Sequence, residues 1–175
     1  MLIREMILPE FDEEMANTRK MLDQVPNDKF DYKPHEKSMA LGRLASHVAE
    51  MAMWTKMTME TEVLNFDEQK FEPYVATSRE QLLGDFDKTI GAARASIENA
   101  SDEELLKTWT MIWGGQTIMA LPRYRIIQSM VLNHSVHHRA QLGVYLRLND
   151  IAIPGAYGPS ADEMAAMAPP VEATA

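Results

Sequence analysis

Apolar residues recur at spacings of three and four in four long segments of this chain, and that period is typical of amphipathic α-helices. The segments predict helices over residues 9–25, 39–62, 78–97 and 122–148. Alternation of the strand type is confined to one short stretch, which is too little to build a sheet. Four helices with connections longer than a tight turn favour an all-α fold, a four-helix bundle with long connections.

The ends of these helices carry residues that commonly begin a helix. Pro9 suits the first position of the first helix, and Ser38 suits the N-cap of the second. Two capping boxes follow, one at the start of the third helix and one that predicts a short additional helix. They pair Ser78 with Gln81 and Ser101 with Glu104.

The exception to the helical pattern lies between the third and fourth long helices. Trp109, Met111 and Trp113 alternate with polar or smaller residues, and Gly114-Gly115 follows them. This order predicts a small hairpin that ends near Ala120. We interpret residues 1–164 as one domain and the Ala/Pro-rich residues 165–175 as a flexible tail.

The composition excludes several functions before any motif is considered. The chain has no cysteine, which excludes disulfides, thiolate metal ligands and cysteine nucleophiles. Its formal net charge of −9 argues against nucleic-acid and anionic-membrane partners, because both need a basic surface. No apolar stretch reaches roughly 18 residues, and the apolar run at the start is too short for a signal peptide. We therefore expect a cytoplasmic protein.

Two histidines on the last predicted helix form the strongest chemical signal. His134 and His138 lie one turn apart in the middle of its apolar stripe, where two imidazoles can reach one metal ion. A single histidine there would more often be a core residue bonded to a carbonyl. Two adjacent histidines on the inward face each need a buried partner, and one metal ion can be the partner of both. His137 lies about 100° from His138, towards the edge, and would be the substitute ligand.

A third ligand must come from another helix. His47, on the second helix, lies about 90° from the centre of its apolar stripe and so points towards a neighbouring helix. A helix-flank histidine without a ligand role explains that angle almost as well. His35 lies in a polar loop, and we interpret it as solvated.

Three stretches of the chain resemble the DinB-like superfamily, and the resemblance covers about residues 5–163. The stretches are Gly42-Arg-Leu-Ala-Ser-His-Val-Ala-Glu50, Asn133-His-Ser-Val-His-His-Arg-Ala-Gln-Leu142 and Pro154-Gly-Ala-Tyr-Gly-Pro-Ser-Ala-Asp-Glu163. The resemblance implies a four-helix bundle, often dimeric, with three histidines on a divalent metal. Position by position, these histidines are His47, His134 and His138. Many relatives have glycine where this chain has Ala140, a difference expected to alter helix packing and not the ligands.

Three neutral imidazoles leave at least one coordination position for water or a substrate, as in catalytic zinc sites. Such a position lowers the pKa of bound water or activates a bound thiol. Nitrogen donors alone do not identify the ion; zinc or nickel is the first expectation and iron the next. The resemblance makes a thiol-dependent S-transferase the leading function, with a small-molecule substrate and a low-molecular-weight thiol. A non-catalytic metal-binding stress-response protein and a metal-dependent hydrolase are the alternatives.

A general base is harder to find in the sequence. Proteases with the H-E-x-x-H motif carry a glutamate after the first histidine, whereas this chain has Ser135. Glu50 is a candidate base or partner of His47, although a solvated surface glutamate is the better-supported interpretation. Gln141 is the other candidate to line the site. Arg139 points about 140° away from His134 and is expected to pair with an acidic helix face.

The second helix is apolar on two faces. Met53 and Met57 start a stripe opposite the main one, and Leu64 extends it if the helix runs that far. A helix that is apolar on two faces is buried on two faces, so we predict contact with a second subunit in a homodimer. Trp54 is expected to form a wall of the metal site.

Overall fold

The chain is mostly helical, with a small three-stranded sheet set against the helices. The computed structural model describes residues 1–68 and 72–167. In chain order the helices are α1 (Ile3–Leu22), α2 (Leu41–Glu50), α3 (Met53–Glu60), α4 (Arg79–Glu98), α5 (Asp102–Leu106), α6 (Arg123–Ile126), α7 (His134–Arg147) and α8 (Ala161–Met167). The strands are β1 (Val63–Asn65), β2 (Thr108–Trp113) and β3 (Gln116–Pro122).

The main core lies where the long helices meet. Helix α1 packs against α4 and α7, and α2 packs against the same two helices. The apolar stripes predicted from the sequence supply most of this core, because their side chains lose almost all exposure to water. The largest of these buried side chains are Phe11, Leu22, Leu41, Leu44, Leu82, Phe86 and Ile97.

Helix α1 begins at Ile3, so the predicted start at Pro9 is wrong. Pro9 lies within the helix, on its exposed side. Proline has no main-chain N–H to donate, and on this side water can bond to the carbonyl that loses its helical partner. The earlier start is favoured by Ile7, which is buried in the core. The main-chain amide of Leu2 donates to the Glu5 carboxylate at 3.0 Å, which caps the first turn.

The second predicted helix is divided into α2 and α3 by a turn at residues 51–52. Helix α2 also has Ala40, not Ser38, at its N-cap. A neighbouring loop replaces the side-chain cap, because the Gly42 amide donates to the Phe30 carbonyl at 2.9 Å. A Cβ atom on Gly42 would lie 2.4 Å from the Phe30 ring, so this close approach requires glycine.

Both predicted capping boxes begin helices. The Ser78 hydroxyl accepts from the Gln81 amide at the start of α4, and the Ser101 hydroxyl accepts from the Glu104 amide at the start of α5, both at 3.2 Å. The box at Ser101 is confirmed, because the Glu104 carboxylate also accepts from the Ser101 amide at 2.9 Å. At Ser78 only the N-cap is confirmed, because the Gln81 side chain accepts from Thr77 instead of the Ser78 amide.

The predicted hairpin is present as β2 and β3, with Gly114 and Gly115 at φ values of 59° and 68°. The expectation that strands are too few for a sheet is wrong, because β1 pairs in parallel with β2. Asp67, just after β1, fastens the hairpin turn. Its carboxylate accepts from the amides of Gly114 and Gly115 at 2.9 and 2.8 Å.

The sheet also changes the interpretation of the second apolar face. Leu64 lies in β1, since α3 ends at Glu60, and Met57 packs with it in a second apolar cluster beside Trp109. The sheet of the same chain therefore covers much of the face that was assigned to a second subunit. The homodimer stays a prediction, now without that support.

The last predicted helix is found as α6, a π-helical segment (Ile127–Asn133) and α7. Pro122 is the N-cap of α6. None of the helices in the described part of the chain is long and apolar enough to cross a membrane. The tail predicted for residues 165–175 lies mostly outside the described residues, and α8 extends to Met167.

Candidate metal centre

Three histidines from two helices converge on one point. His47 comes from α2, and His134 and His138 come from α7. One ring nitrogen from each lies within 4.8 Å of the other two, and the ring centroids are 4.6 to 5.4 Å apart. This is the only group of three or more histidines and acidic residues with such spacing among residues 1–68 and 72–167.

Local helix geometry explains how the residues meet. His134 and His138 are one turn apart on α7, so their side chains lie on the same face. Helix α2 packs against α7, and the buried Leu44 and Val48 hold it there. His47 lies between these two residues in sequence and on the edge of the contact, half-buried, where its ring reaches the pair on α7.

Each imidazole is oriented by a separate hydrogen bond. His47 Nδ1 is 2.7 Å from Glu50 Oε1, and His138 Nδ1 is 2.8 Å from Gln141 Oε1. Both partners are acceptors, so each Nδ1 carries the proton and each Nε2 presents a lone pair. His134 is hydrogen bonded to the main chain at Met130, one turn earlier. Such bonds to the ring nitrogen that is not a ligand are the usual support of metal-binding histidines.

The spacing of the free nitrogens fits a divalent ion. The Nε2 atoms of His134 and His138 are 2.8 Å apart. An ion about 2.0–2.1 Å from each nitrogen would separate two adjacent ligands by about 3 Å. Without a shared ion or proton, these two lone pairs would face each other and repel. The donor set, its tautomers and its spacing therefore fit a metal ion held by three imidazoles.

The electrostatic setting keeps the pair on α7 uncharged. Burial lowers the pKa of His138 to about 4, and repulsion from the neighbouring histidines contributes. Burial also lowers the pKa of His134, again with repulsion from His47 and His137. A neutral imidazole is the form that can bind a metal, so both side chains are in that form at neutral pH.

Glu50 is not a solvated surface glutamate, and that interpretation of the sequence is wrong. Its side chain is only 11% exposed. Oε1 accepts from His47 Nδ1 and, at 3.1 Å, from Arg43 Nη2. The structure instead shows Glu50 as the partner of His47, because its hydrogen bond orients the His47 ring.

The other histidine and glutamine positions are also defined. His137 is exposed and outside the cluster, where its Nε2 is 3.1 Å from Gln141 Nε2. Gln141 is exposed and contacts the Nδ1 side of His138, which is not the side that faces the other two histidines. His35 is exposed, as expected for a loop residue. Trp54 packs between the main core and the sheet cluster, 6.3 Å from the Phe66 ring.

A second polar group lies beside the histidines and was only partly visible in the sequence. Arg139 pairs with Glu14 of α1 at 2.6 Å, which confirms the expected contact with an acidic helix. Tyr157, from the loop before α8, donates to Glu14 at 2.8 Å and lies 2.6 Å from Arg139. We call Glu14, Arg139 and Tyr157 the arginine cluster. Nothing local in the sequence links Tyr157 to the other two residues.

Comparisons with known proteins agree with this architecture. The profile of the DinB family matches residues 4–172 of the chain. The uncharacterized protein YrdA of Bacillus subtilis is 24% identical over 159 residues, which is 90% of each chain. A DinB-like protein of Bacillus cereus has a similar structure, with a TM-score of 0.66 and 22% identity over 86% of this chain and 95% of that one. The DinB-like protein YjoA of B. subtilis gives 0.65 and 19%, over 86% and 97%.

Proposed function

The chain belongs to the DinB family, and we propose that its function depends on a divalent metal ion bound by His47, His134 and His138. The observation that carries the proposal is the convergence of three imidazoles, of which His47 and His138 have their Nδ1 atoms occupied by other partners. Zinc or nickel is the first expectation, and iron the next. We further propose that at least one coordination position is left for a substrate.

We propose a metal-dependent enzyme of the thiol-dependent S-transferase type, with a low-molecular-weight thiol and a small-molecule acceptor. A divalent ion in this site would lower the pKa of a thiol that reaches it, so that the thiolate is present at neutral pH. A thiol with such a lowered pKa would lose its proton without a general base from the protein. This agrees with the residues present, because the nearest carboxylate, Glu50, is already engaged with His47 and Arg43.

The side chains of this protein have positioning roles in the proposal. Glu50 holds the proton on His47 Nδ1, and Gln141 holds the proton on His138 Nδ1, which keeps each Nε2 available. The arginine cluster fixes α7 against α1, one residue from His138. The apolar packing between α2 and α7 keeps His47 within reach of the other two histidines.

The proposal also covers the architecture and setting of the protein. We propose that α1, the α2–α3 pair, α4 and the continuous α6–α7 helix form the four helices of a bundle, supported by the packing of α1 and α2 against both α4 and α7. A cytoplasmic location and a homodimer belong to the same proposal.

Metal content tests the proposed binding of a divalent ion by the three histidines. Wild-type protein without an affinity tag should contain close to one divalent ion per chain by elemental analysis. His47→Ala should lose it, because two imidazoles bind far more weakly than three, whereas the matched control His35→Ala in the exposed loop should keep it. Equal metal content in wild type and His47→Ala would contradict the assignment.

The open position is tested with Co²⁺, which reports its ligands through its visible spectrum. Adding 2-mercaptoethanol to the Co²⁺ form should produce a sulfur-to-metal charge-transfer band in wild type. A Co²⁺ spectrum that the thiol leaves unchanged would overturn the transferase proposal. It would favour the non-catalytic or the hydrolytic alternative, and release of the product of an activated ester would separate these two.

A further inference from the structure

A cavity of about 560 Å³ lies between the α2–α3 pair and α4, on the far side of Glu50 from His47. Charged side chains of both signs line it, with small apolar side chains between them. The acidic side chains are those of Glu50, Glu72 and Asp85, and the basic ones are those of Lys56 and Lys88. Ala49 of α2 and Met53 and Lys56 of α3 line the side of the groove opposite α4.

Glu50 belongs to both the cavity and the histidine cluster. Its Oε1 atom accepts from His47 and Arg43, whereas its Oε2 atom makes no hydrogen bond within residues 1–68 and 72–167. This second oxygen stays accessible to water, because it is not among the buried polar atoms that lack a partner. A donor group of a ligand in the cavity can therefore replace water at Oε2.

The rest of the cavity has a fixed acidic end. The Tyr74 hydroxyl donates to Asp85 Oδ2 at 2.6 Å. Burial, the hydrogen bond to Asp85 and the charges of Asp85 and Glu50 raise the pKa of Tyr74 well above its ordinary value, so that this hydroxyl keeps its proton. Asp85 and Glu50 therefore both act on Tyr74, and their negative charges lie at the same end of the cavity.

One lysine on the basic side of the cavity is not paired with a carboxylate of the described residues. Lys88 forms no ion pair in the described part of the chain, although Asp85 is three residues before it on α4. Lys56 pairs only with Glu60, at 3.7 Å and in solvent. Asp85 and Lys88 therefore present an acidic and a basic group to the cavity from positions three apart on α4, where Cβ atoms are roughly 5–6 Å apart.

We propose that this cavity binds a free α-amino acid. The ammonium group donates to Glu50 Oε2 and Asp85, the carboxylate contacts Lys88, and the side chain lies against Ala49, Met53 and Ala92. One consequence rests on the proposed function above. An ammonium group on Glu50 withdraws negative charge from the bond to His47 Nδ1, so that an amino acid in the cavity weakens metal binding, and metal weakens amino-acid binding equally.

Binding to the metal-free full-length chain is the direct test. Each of the twenty common L-amino acids is titrated by calorimetry, with the N-acetyl derivative of each as a control that lacks the ammonium group. At least one amino acid should bind saturably, and its N-acetyl derivative at least tenfold more weakly. Absence of saturable binding by all twenty at millimolar concentration overturns the proposal.

Two variants locate the binding site. Asp85→Asn and Lys88→Ala should each weaken binding of that amino acid at least tenfold. Asp87→Asn is the matched control on α4, because Asp87 lies outside the cavity and pairs with the exposed Arg19. Unchanged affinity in both cavity variants would place the amino acid elsewhere and overturn the assignment.

The coupling is tested separately, with Zn²⁺. A saturating amino acid should lower the apparent Zn²⁺ affinity of the wild type at least threefold more than that of Lys88→Ala. The variant corrects for zinc that the free amino acid chelates in solution. If the apparent Zn²⁺ affinity decreases equally in both proteins, the proposed coupling is wrong. The amino-acid site itself is then judged by the titration of the metal-free chain alone. Failure of the wild type to bind Zn²⁺ at all contradicts the proposed function and not the cavity.

Discussion

Two neighbouring residues of α7, His138 and Arg139, belong to polar clusters with opposite properties. Arg139 is 3% exposed, and its guanidinium donates to the Glu14 carboxylate, the Glu14 carbonyl and the Thr18 hydroxyl. The histidine cluster is half-buried, and its converging Nε2 atoms face one another with no hydrogen-bond donor from the described residues. A polar group whose partners all lie within the chain stabilises the fold, whereas one with unused lone pairs is suited to bind something else.

Breaking the arginine cluster should have the largest effect on stability. Arg139→Ala leaves the Glu14 carboxylate buried without its charge partner, and we expect the free energy of unfolding to fall by about 3–5 kcal/mol. Urea denaturation measures this. The control is Arg19→Ala, which removes an exposed pair with Asp87 and should lower stability by less than about 1 kcal/mol. A similar small value for Arg139→Ala would remove the contrast between the two clusters.

Breaking the histidine cluster should affect binding and not folding. His138→Ala should weaken Zn²⁺ binding at least about 100-fold, or about 2.7 kcal/mol, by removing one of three ligands. The metal-free variant should be at least as stable as wild type, because a buried group with unsatisfied lone pairs is removed. His137→Ala, an exposed neighbour, is the control for metal binding. Marked destabilisation of metal-free His138→Ala would show that the ring serves the core.

A smaller effect on binding should follow from the partner of His47. Glu50→Gln keeps an acceptor for His47 Nδ1 and removes the negative charge, so we expect Zn²⁺ affinity to fall about tenfold. Competition with a chromophoric chelator gives the affinity. A loss as large as that of His47→Ala would indicate that Glu50 is itself a ligand.

The most gradual effect is expected from pH, because it is spread over more than two pH units. The pKa of His138 lies near 4 in the folded chain, below its ordinary value of 6.5. Between these values the unfolded chain binds the proton and the folded chain does not, so the free energy of unfolding decreases as pH falls from 6.5 towards 4. Urea denaturation of metal-free protein at several pH values should show this slope. His138→Gln should show less of it, and equal slopes would exclude His138 as the source.

What could be predicted from the sequence depended on short-range spacing. The i, i+4 pair on α7, the N-caps at Ser78 and Ser101, and the Gly114-Gly115 turn each involve residues only a few positions apart, and each was found. The family resemblance supplied His47 as the third member, since its helical angle alone left two interpretations open.

Features that depend on distant parts of the chain were not predicted. Strand β1 has three residues, too few for a pattern, and it forms only because β2 pairs with it. At the start of α2, the loop at Phe30 accepts the hydrogen bond that a side-chain cap would otherwise accept. Glu50 is shielded from water because α4 packs against α2. Tyr157 meets Glu14 across 143 positions of sequence. In each case the environment of a residue is created by a segment whose position the local sequence does not specify.

The π-helical segment before His134 has a consequence for how this site tolerates insertions and deletions. A π-turn holds one more residue than an α-turn, so removing a single residue from Ile127–Asn133 would let the segment close into a regular α-helix. Everything after it would then keep nearly its present angle relative to α6, because the narrower turn needs one residue fewer to complete the same rotation. A deletion inside α7 before His138 would instead rotate the residues after it by about 100° and separate the two imidazoles. The wide turn thus absorbs one residue without moving the metal ligands, whereas the regular helix beside it tolerates no such change.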